Sequence, residues 1–283
     1  MVNGCAYILT VDVGNTFIRF GLFAEDSAAA QECPLATCEI TTPSSITADE
    51  ARMRLAQVMG ALAADAGMPG ALVPAAAVLS CVVPALERPW KAALSRTCTG
   101  RVLTVGPGLK TGMPVHYDDP AEIGPDRIAD AVAARAVYGS PCIVIDLGTT
   151  TNIEVIDARG TFAGGVIAPG LALGARSLSA AAARLPQVEP SAPTHVIGRN
   201  TREAMRSGVV LGEVARIDGM LDMVLAEMRA TKAAGEGSVP IVITGDDAEA
   251  LAALVGHSLT VDDALTLRGL AELYRINQKP RRA

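Results

Sequence analysis

The sequence predicts a two-domain α/β protein built by internal duplication, and three observations lead there. Two near-copies of one short motif stand far apart in the 283-residue chain: Asp12-Val13-Gly14-Asn15-Thr16 and Asp146-Leu147-Gly148-Thr149-Thr150. Each follows an apolar run, Tyr7 to Val11 and Cys142 to Ile145, that reads as a buried strand. Half of the residues are apolar, but much of that is alanine and only 3% are aromatic, which favours helix-rich α/β packing. An acid at a strand end, then a glycine and hydroxyl or amide side chains in a tight turn, makes a grip for phosphate and metal, here made twice. This points to duplicated ribonuclease-H-like domains of the actin-like, sugar-kinase-like ATPase superfold, with halves at 1–122 and 123–283. Taken singly, an acid-x-glycine string also closes ordinary turns.

The elements follow in order. Phe17 to Phe23 returns from the first turn as the second arm of a hairpin, with Arg19 on its open face. Residues 26–45 contain a strand with loose ends. Ala48 to Ala66 repeats apolar residues at helical spacing, and Asp49 and Glu50 lie in its first turn, where the helix dipole favours acids. Strands at Ala76 to Val83 and Arg101 to Val105 flank a helix around Pro89 to Arg96. Gly106 to Pro120 is a connecting loop. Pro125 to Tyr138 is a helix with Asp126 and Arg127 in its first turn. The second half repeats the theme: strand Cys142 to Ile145, the turn, then strands Ile153 to Asp157 and Phe162 to Ile167. Pro169-Gly170 turns into a helix ending near Arg184. Thr201 to Ala230 is one long helix capped by Asn200, followed by strand Pro240 to Thr244 and helices at Asp246 to Val255 and Ala264 to Tyr274.

Composition excludes several classes. A net charge of -6 offers no general attraction to nucleic acid or anionic lipid, and the basic run Lys279 to Arg282 reads as a solvated tail. The six cysteines (Cys5, Cys33, Cys38, Cys81, Cys98 and Cys142) show no metal-ligand or C-x-x-C spacing, so reduced thiols in a cytoplasmic setting are expected. Met1 to Thr10 lacks the basic start of a signal peptide. Ala66 to Leu86 is uncharged, but Pro69, Gly70, Pro74 and Pro84 interrupt it, which favours a buried strand over a membrane span. His116, His195 and His257 share no metal spacing, although His116 beside Tyr117 could line a pocket. Trp90 is expected as a satellite packing anchor.

Further motifs stand in order between and after the two turns: Tyr117 with Pro120, Gly124-x-Asp126-Arg127, Gly164-Gly165-x-Ile167-x-Pro169-Gly170, Leu185-Pro186, Gly198-x-Asn200-Thr201 and Leu265-x-Leu267-x-Gly269-Leu270. With the two acid-glycine turns, this series resembles the type III pantothenate kinases from Asp12 to about Asn277. The resemblance implies ATP-dependent phosphorylation of pantothenate to 4′-phosphopantothenate, the first step of coenzyme A biosynthesis. It implies ATP contacts at Asp12, Val13, Gly14, Asn15, Thr16, Phe17, Ile18, Arg19 and Thr149, with Asp12 holding Mg²⁺. Asp126 matches the proton acceptor, and Tyr117, Gly124, Pro125, Asp126, Arg127 and Thr201 match pantothenate contacts. The resemblance also implies a homodimer in which Thr201 comes from the partner subunit. Asp146 matches the ligand of a monovalent cation, K⁺ or NH₄⁺. Neither nucleic acid nor membrane is an expected partner.

The physical sense of these roles is independent of the family. Phosphoryl transfer passes through a loose transition state, so catalysis is mainly positioning and charge neutralisation. Backbone N–H groups from Gly14 to Thr16 can cup phosphates, since glycine allows close approach. A carboxylate near the acceptor hydroxyl takes its proton as the oxygen attacks. Read alone, Asp126 is equally a first-turn acid favoured by the helix dipole, Tyr117 a loop aromatic and Thr201 a helix-start hydroxyl. Gly164-Gly165 and Pro169-Gly170 look like structural turns, and Arg202, Glu203 and Arg206 form a solvated or dimer-facing stripe.

Departures from the family pattern fall on the nucleotide side in two places: Thr150, Asn152 and Glu154 after the second turn, and Asp246 and Asp247 in Thr244-Gly245-Asp246-Asp247. Asp246 could crowd a ribose or repel phosphate, or simply cap a helix. They leave open an alternative, a relative with impaired turnover that acts as a regulatory or pantothenate-binding protein.

Overall fold

A computed structural model describes residues 6–26, 32–68 and 72–278 of the chain. Cys5, Pro69, Gly70 and the Lys279 to Arg282 run lie outside the described residues. The contacts group residues 1–139 with 264–283 in one unit, and 140–263 in a second.

The first unit is built on a sheet of order β3-β2-β1-β4-β5. Its strands are β1 (Tyr7–Val13), β2 (Phe17–Ala24), β3 (Ala36–Thr41), β4 (Ala76–Cys81) and β5 (Val102–Thr104). Strand β1 pairs antiparallel with β2 and parallel with β4, which puts the acid-bearing strand at the centre. Of residues 26–45 only Ala36–Thr41 forms a strand, because just that stretch pairs with β2. Helix α1 (Ala48–Asp65) starts at Thr47, whose hydroxyl and backbone exchange bonds with Glu50 in a capping box. Helix α2 (Pro84–Thr97) starts five residues before Pro89, because Pro84 already supplies the preset first turn. Leu55, Leu62, Leu86 and Trp90 close one core over this sheet. Trp90 is therefore central rather than satellite: it is fully buried and its ring meets Phe20 at 5.7 Å.

Helix α3 (Pro125–Tyr138) spans the predicted residues, preceded by a 3₁₀ turn at Pro120–Glu122. The last helix of the chain, α8 (Leu265–Ile276), packs on α3 within this same unit. Their approach requires glycine: a Cβ at Gly269 would lie 1.9 Å from the Ala129 carbonyl oxygen. So α3 and α8 both stand with the first sheet, although α8 closes the second half of the sequence.

The second unit repeats the arrangement with order β8-β7-β6-β9-β10. The strands are β6 (Cys142–Leu147), β7 (Thr150–Ile156), β8 (Phe162–Pro169), β9 (Ile241–Gly245) and β10 (Thr260–Val261), the last unforeseen from so short a run. Again the acid-bearing strand pairs antiparallel with its hairpin partner and parallel with the strand beyond. Gly164-Gly165 is no turn: both residues lie within β8, paired with Val155 and Glu154 beside a register shift. Helix α4 (Leu171–Ala181) ends three residues before Arg184. The long helix is continuous, as expected, but not α-helical throughout. It runs as α5 (Thr201–Arg206), a π-helical stretch at Ser207–Leu211 and α6 (Gly212–Ala230). There the Ser207 hydroxyl donates to the Val196 carbonyl at 2.5 Å. Helix α7 (Ala248–Ala252) is short, and Asp247, at its start with φ of 57°, makes no side-chain cap. Ile145, Ile217, Leu221, Ile243 and Leu251 form the core. Among the described residues, no helix is long and apolar enough to cross a membrane, and Cys33, Cys38, Cys81, Cys98 and Cys142 are free thiols.

Candidate active site

Each acid-glycine turn sits where the central strand of its sheet hands over to the antiparallel arm. In the first, Asp12 is in register with Arg19 on β2 and with Ser80 on β4. Gly14 N–H donates to the Phe17 carbonyl at 3.0 Å, and the Thr42 hydroxyl donates to the Gly14 carbonyl at 2.7 Å. Asn15 and Thr16 are exposed at the tip, whereas Val13 and Ile18 are fully buried core residues. Phe17 is half-buried, and the Arg19 guanidinium pairs with Glu39 at 2.9 Å. Of the residues expected to touch ATP here, the side chains of Val13 and Ile18 face the core, so only their backbone is available. Ser80 was missed by the sequence reading. The signal for it was a lone hydroxyl in the otherwise apolar run Ala76 to Val83.

Asp12 is 7% exposed, and its Oδ1 is buried without a hydrogen-bond partner. Burial first, and then the nearby negative charge of Asp126, push its carboxyl up to about 6 against the pull of Ser80 and Arg19. A buried carboxylate oxygen lacking a donor is what a hard cation would satisfy, so the residues fit Mg²⁺. Among the described residues no group of three or more His, Cys, Asp or Glu side chains is arranged to hold a metal ion. A metal here would therefore be held by few protein groups and completed by water and phosphate oxygens.

Asp126 stands in the first turn of α3, so the expectation of a first-turn acid holds together with its proximity to Asp12. Its Oδ1 accepts from the Arg127 N–H at 2.8 Å. Gly124 makes that position possible, because a Cβ there would lie 2.4 Å from Asp126 Oδ1. Burial raises the Asp126 carboxyl above the ordinary range, against the Arg127 N–H and guanidinium that lower it. Arg127 is buried. A cavity of about 440 Å³ adjoins this turn, walled by Val105, Pro107, Leu109, Val115, Pro125 and Ile128. Tyr117 is half-buried and His116 exposed, and neither lines that cavity.

In the second unit Asp146 is in register with Asn152 on β7 and Thr244 on β9. Asn152 Nδ2 donates to Asp146 Oδ2 at a long 3.5 Å. The turn is one residue shorter than the first: Val13 pairs with Ile18, but Leu147 with Thr151. Gly148 N–H donates to the Thr150 carbonyl, and Gly170 N–H to the Thr149 carbonyl, each at 3.0 Å. Gly245 packs against the turn, since a Cβ there would lie 2.1 Å from the Leu147 carbonyl oxygen and 2.8 Å from Asp146 Oδ1. The Asp246 N–H donates to Leu147 at 2.6 Å. Thr201 opens α5 and is exposed, with Asn200 as the expected cap accepting from Glu203 N–H at 3.0 Å. Gly198 belongs to this cap, because a Cβ would lie 2.2 Å from Ala204 N. The stripe expected of Arg202, Glu203 and Arg206 divides: Arg202 donates to Gln187 O, Glu203 serves the cap, and Arg206 is half-buried.

Two sheets of one strand order, each with an acid-glycine turn at the same strand junction, define a duplicated α/β ATPase-type fold. Solved structures share it at low identity, which speaks for the fold alone. A Campylobacter jejuni chain assigned to the Baf family of transcriptional activators covers 95% of this chain and 98% of its own at a TM-score of 0.56 and 18% identity. The ROK hexokinase of Thermus thermophilus covers 96% and 100% at a TM-score of 0.51 and 14% identity. Sequence narrows the class further. The chain belongs to the type III pantothenate kinase family, whose family model matches residues 8–223. The type III pantothenate kinase of Koribacter versatilis is 37% identical over 275 residues, 96% of each chain. Type III pantothenate kinase 2 of Symbiobacterium thermophilum is 39% identical over 274 residues, 96% of this chain and 97% of its own.

Proposed function

We propose that this chain transfers the γ-phosphoryl group of ATP to the primary hydroxyl of pantothenate, giving 4′-phosphopantothenate at the first step of coenzyme A biosynthesis. The observation that carries the reading is the pair of carboxylates, Asp12 and Asp126, brought within mutual repulsion in one unit of a family member. One carboxylate lacks a donor and suits a cation. The other is raised by burial and suits a base.

Asp126 takes the proton of the pantothenate hydroxyl as its oxygen attacks the γ-phosphorus and ADP departs. A positioned base of this kind contributes roughly 10²- to 10⁴-fold. Gly124 and the Arg127 N–H keep the carboxylate aimed, Arg127 orients the acceptor, and Tyr117 contacts it. The apolar walls of the adjoining cavity suit the dimethyl carbon of pantothenate. The backbone from Gly14 to Thr16, continuing through Arg19, and Thr149 of the second unit contact ATP. Asp12 would hold Mg²⁺, which supplies positive charge against the phosphate oxygens. Asp146, with one weakly bound carboxylate oxygen, would take K⁺ or NH₄⁺. The chain acts as a homodimer in which Thr201 reaches the partner's acceptor. In support, Val196 and Ile197, just before the Gly198 to Thr201 cap, are 74% and 83% exposed, an apolar pair that a second copy would cover.

The test is a donor and acceptor screen on purified protein, with and without potassium, followed by Asp126→Asn. The variant should melt no lower than the parent and lose most turnover with ATP and pantothenate; near-full turnover would remove Asp126 from this role. A pantothenate-binding protein with impaired turnover, the reading that Asp246 and Asp247 favour, would bind the acceptor in the same screen and form no product.

A further inference from the structure

A buried charged cluster in the second unit serves no step above. Glu213 on α6 is 4% exposed, and its carboxylate is bonded to β7 directly and to β8 through Arg216. Its Oε1 accepts from the hydroxyl of buried Thr151 at 2.6 Å. Its Oε2 accepts from Arg216 Nη2, and the same nitrogen donates to the Pro169 carbonyl. Both outer ends of the cluster touch the shorter acid-glycine turn. Thr151 is the first residue of β7 paired behind that turn, opposite Leu147. Pro169 pairs with Thr150, and the next N–H, Gly170, donates to the Thr149 carbonyl at 3.0 Å. Gly170 lies so close that a Cβ would sit 2.2 Å from the Gly148 carbonyl oxygen. One ion pair on α6 thus holds the turn from both sides.

We propose that Glu213 and Arg216 are positioning residues that fix the backbone of the Gly148–Thr149 turn for nucleotide binding. The physical argument is economy of placement. A carboxylate is buried at a cost unless it is paired and hydrogen-bonded. Here both of its oxygens are used, and each partner leads to the turn rather than to the core. Within the turn only the bond from Gly148 N–H to the Thr150 carbonyl at 3.0 Å restrains that backbone, and a Cβ at Gly148 would meet nothing closer than 3.8 Å. The remaining restraint comes from outside the turn, where the Gly170 N–H donates to the Thr149 carbonyl. This inference rests on the reading of Thr149 as an ATP contact.

The helical run that carries the pair also begins at Thr201, so steady-state constants separate two effects. Loss of the brace should raise the KM for ATP by about 10- to 100-fold, the scale of ångström-sized misplacement. The KM for pantothenate should stay within about twofold of the parent, an equilibrium-scale change under 0.5 kcal/mol. The double variant Glu213→Gln/Arg216→Met keeps an acceptor for Thr151 and leaves no buried charge unpaired. Arg216→Lys keeps the charge on a shorter stem, which cannot bring its nitrogen as close to both Glu213 and the Pro169 carbonyl, and should fall between parent and double variant. Binding of a non-hydrolysable ATP analogue, measured by calorimetry, should weaken in the same order. Equal rises in both KM values, or unchanged analogue binding in a double variant that melts cooperatively, would overturn the proposal. Should the double variant fail to fold, the Arg216→Lys ratio decides alone. Gly170→Ala is the control for the underlying reading: it presses directly on Gly148. If it leaves the ATP constants untouched, the turn is no nucleotide contact. If it shifts them while the α6 variants do not, only the brace is refuted.

Discussion

Replacing Asp12 by asparagine should make the free protein more stable at neutral pH while abolishing its response to Mg²⁺-ATP. The magnitude follows from the Asp12 carboxyl, raised from 3.8 to about 6 by burial and by Asp126. The difference of about two pH units, at about 1.4 kcal/mol each, corresponds to about 3 kcal/mol. The sign is set by where the proton resides. Below the unfolded value both states are protonated and nothing is lost. Between 3.8 and about 6 the folded protein retains a proton that the unfolded chain has released, so stability falls as pH rises. Above about 6 the full cost is present. At pH 7.5 without divalent ions, Asp12→Asn should therefore gain up to about 3 kcal/mol and melt roughly 5–10 °C higher. At pH 4 the two proteins should converge. Melting curves and urea titrations from pH 4 to 7.5, in chelator and then with Mg²⁺-ATP, provide the measurement. Parallel pH profiles for parent and variant would refute the reasoning, as would equal stabilisation of both by Mg²⁺-ATP.

Gly124→Ala should lower kcat by roughly 10²-fold with little change in melting, because the new methyl displaces the Asp126 carboxylate it would meet at 2.4 Å; assay and thermal melt on one preparation check this. Gly269→Ala should do the reverse, costing about 1–3 kcal/mol or more by forcing α8 off the Ala129 carbonyl, read from urea unfolding. Asp126→Asn and Thr201→Trp homodimers should each be nearly inactive, yet mixing them under subunit exchange should restore activity, since a mixed dimer has one intact shared site. No recovery, with exchange shown by mass spectrometry, would place Thr201 outside the partner's site.

Much of the local setting of the candidate acids was legible in the chain. Asp12, Gly14, Asp126 and Asp146 stand in local contexts, a strand end or a helix first turn, that short-range patterns specify. The predicted boundaries of α3 match for the same reason: Pro125 starts the helix and Gly139, at φ of 85°, stops it. Where local signals competed, the reading slipped. Pro89 looked like a helix start, but Pro84 had already set the first turn. Gly164-Gly165 looked like a turn, but pairing with β7 drew both glycines into β8.

By itself the sequence determined the duplication, the two acid-glycine turns and the identity of the acids, because each is written in contiguous residues. Only the tertiary structure decided which of these acids interact and what shapes them. Asp12 and Asp126 are more than a hundred residues apart, and their mutual repulsion exists because β1 and α3 fold into one unit. Ser80 comes to lie beside Asp12 through parallel strand register, and Glu213 and Arg216 reach the strands flanking the second turn through helix-to-sheet packing. Contacts of that kind arise from where the chain returns in space, which no local pattern encodes.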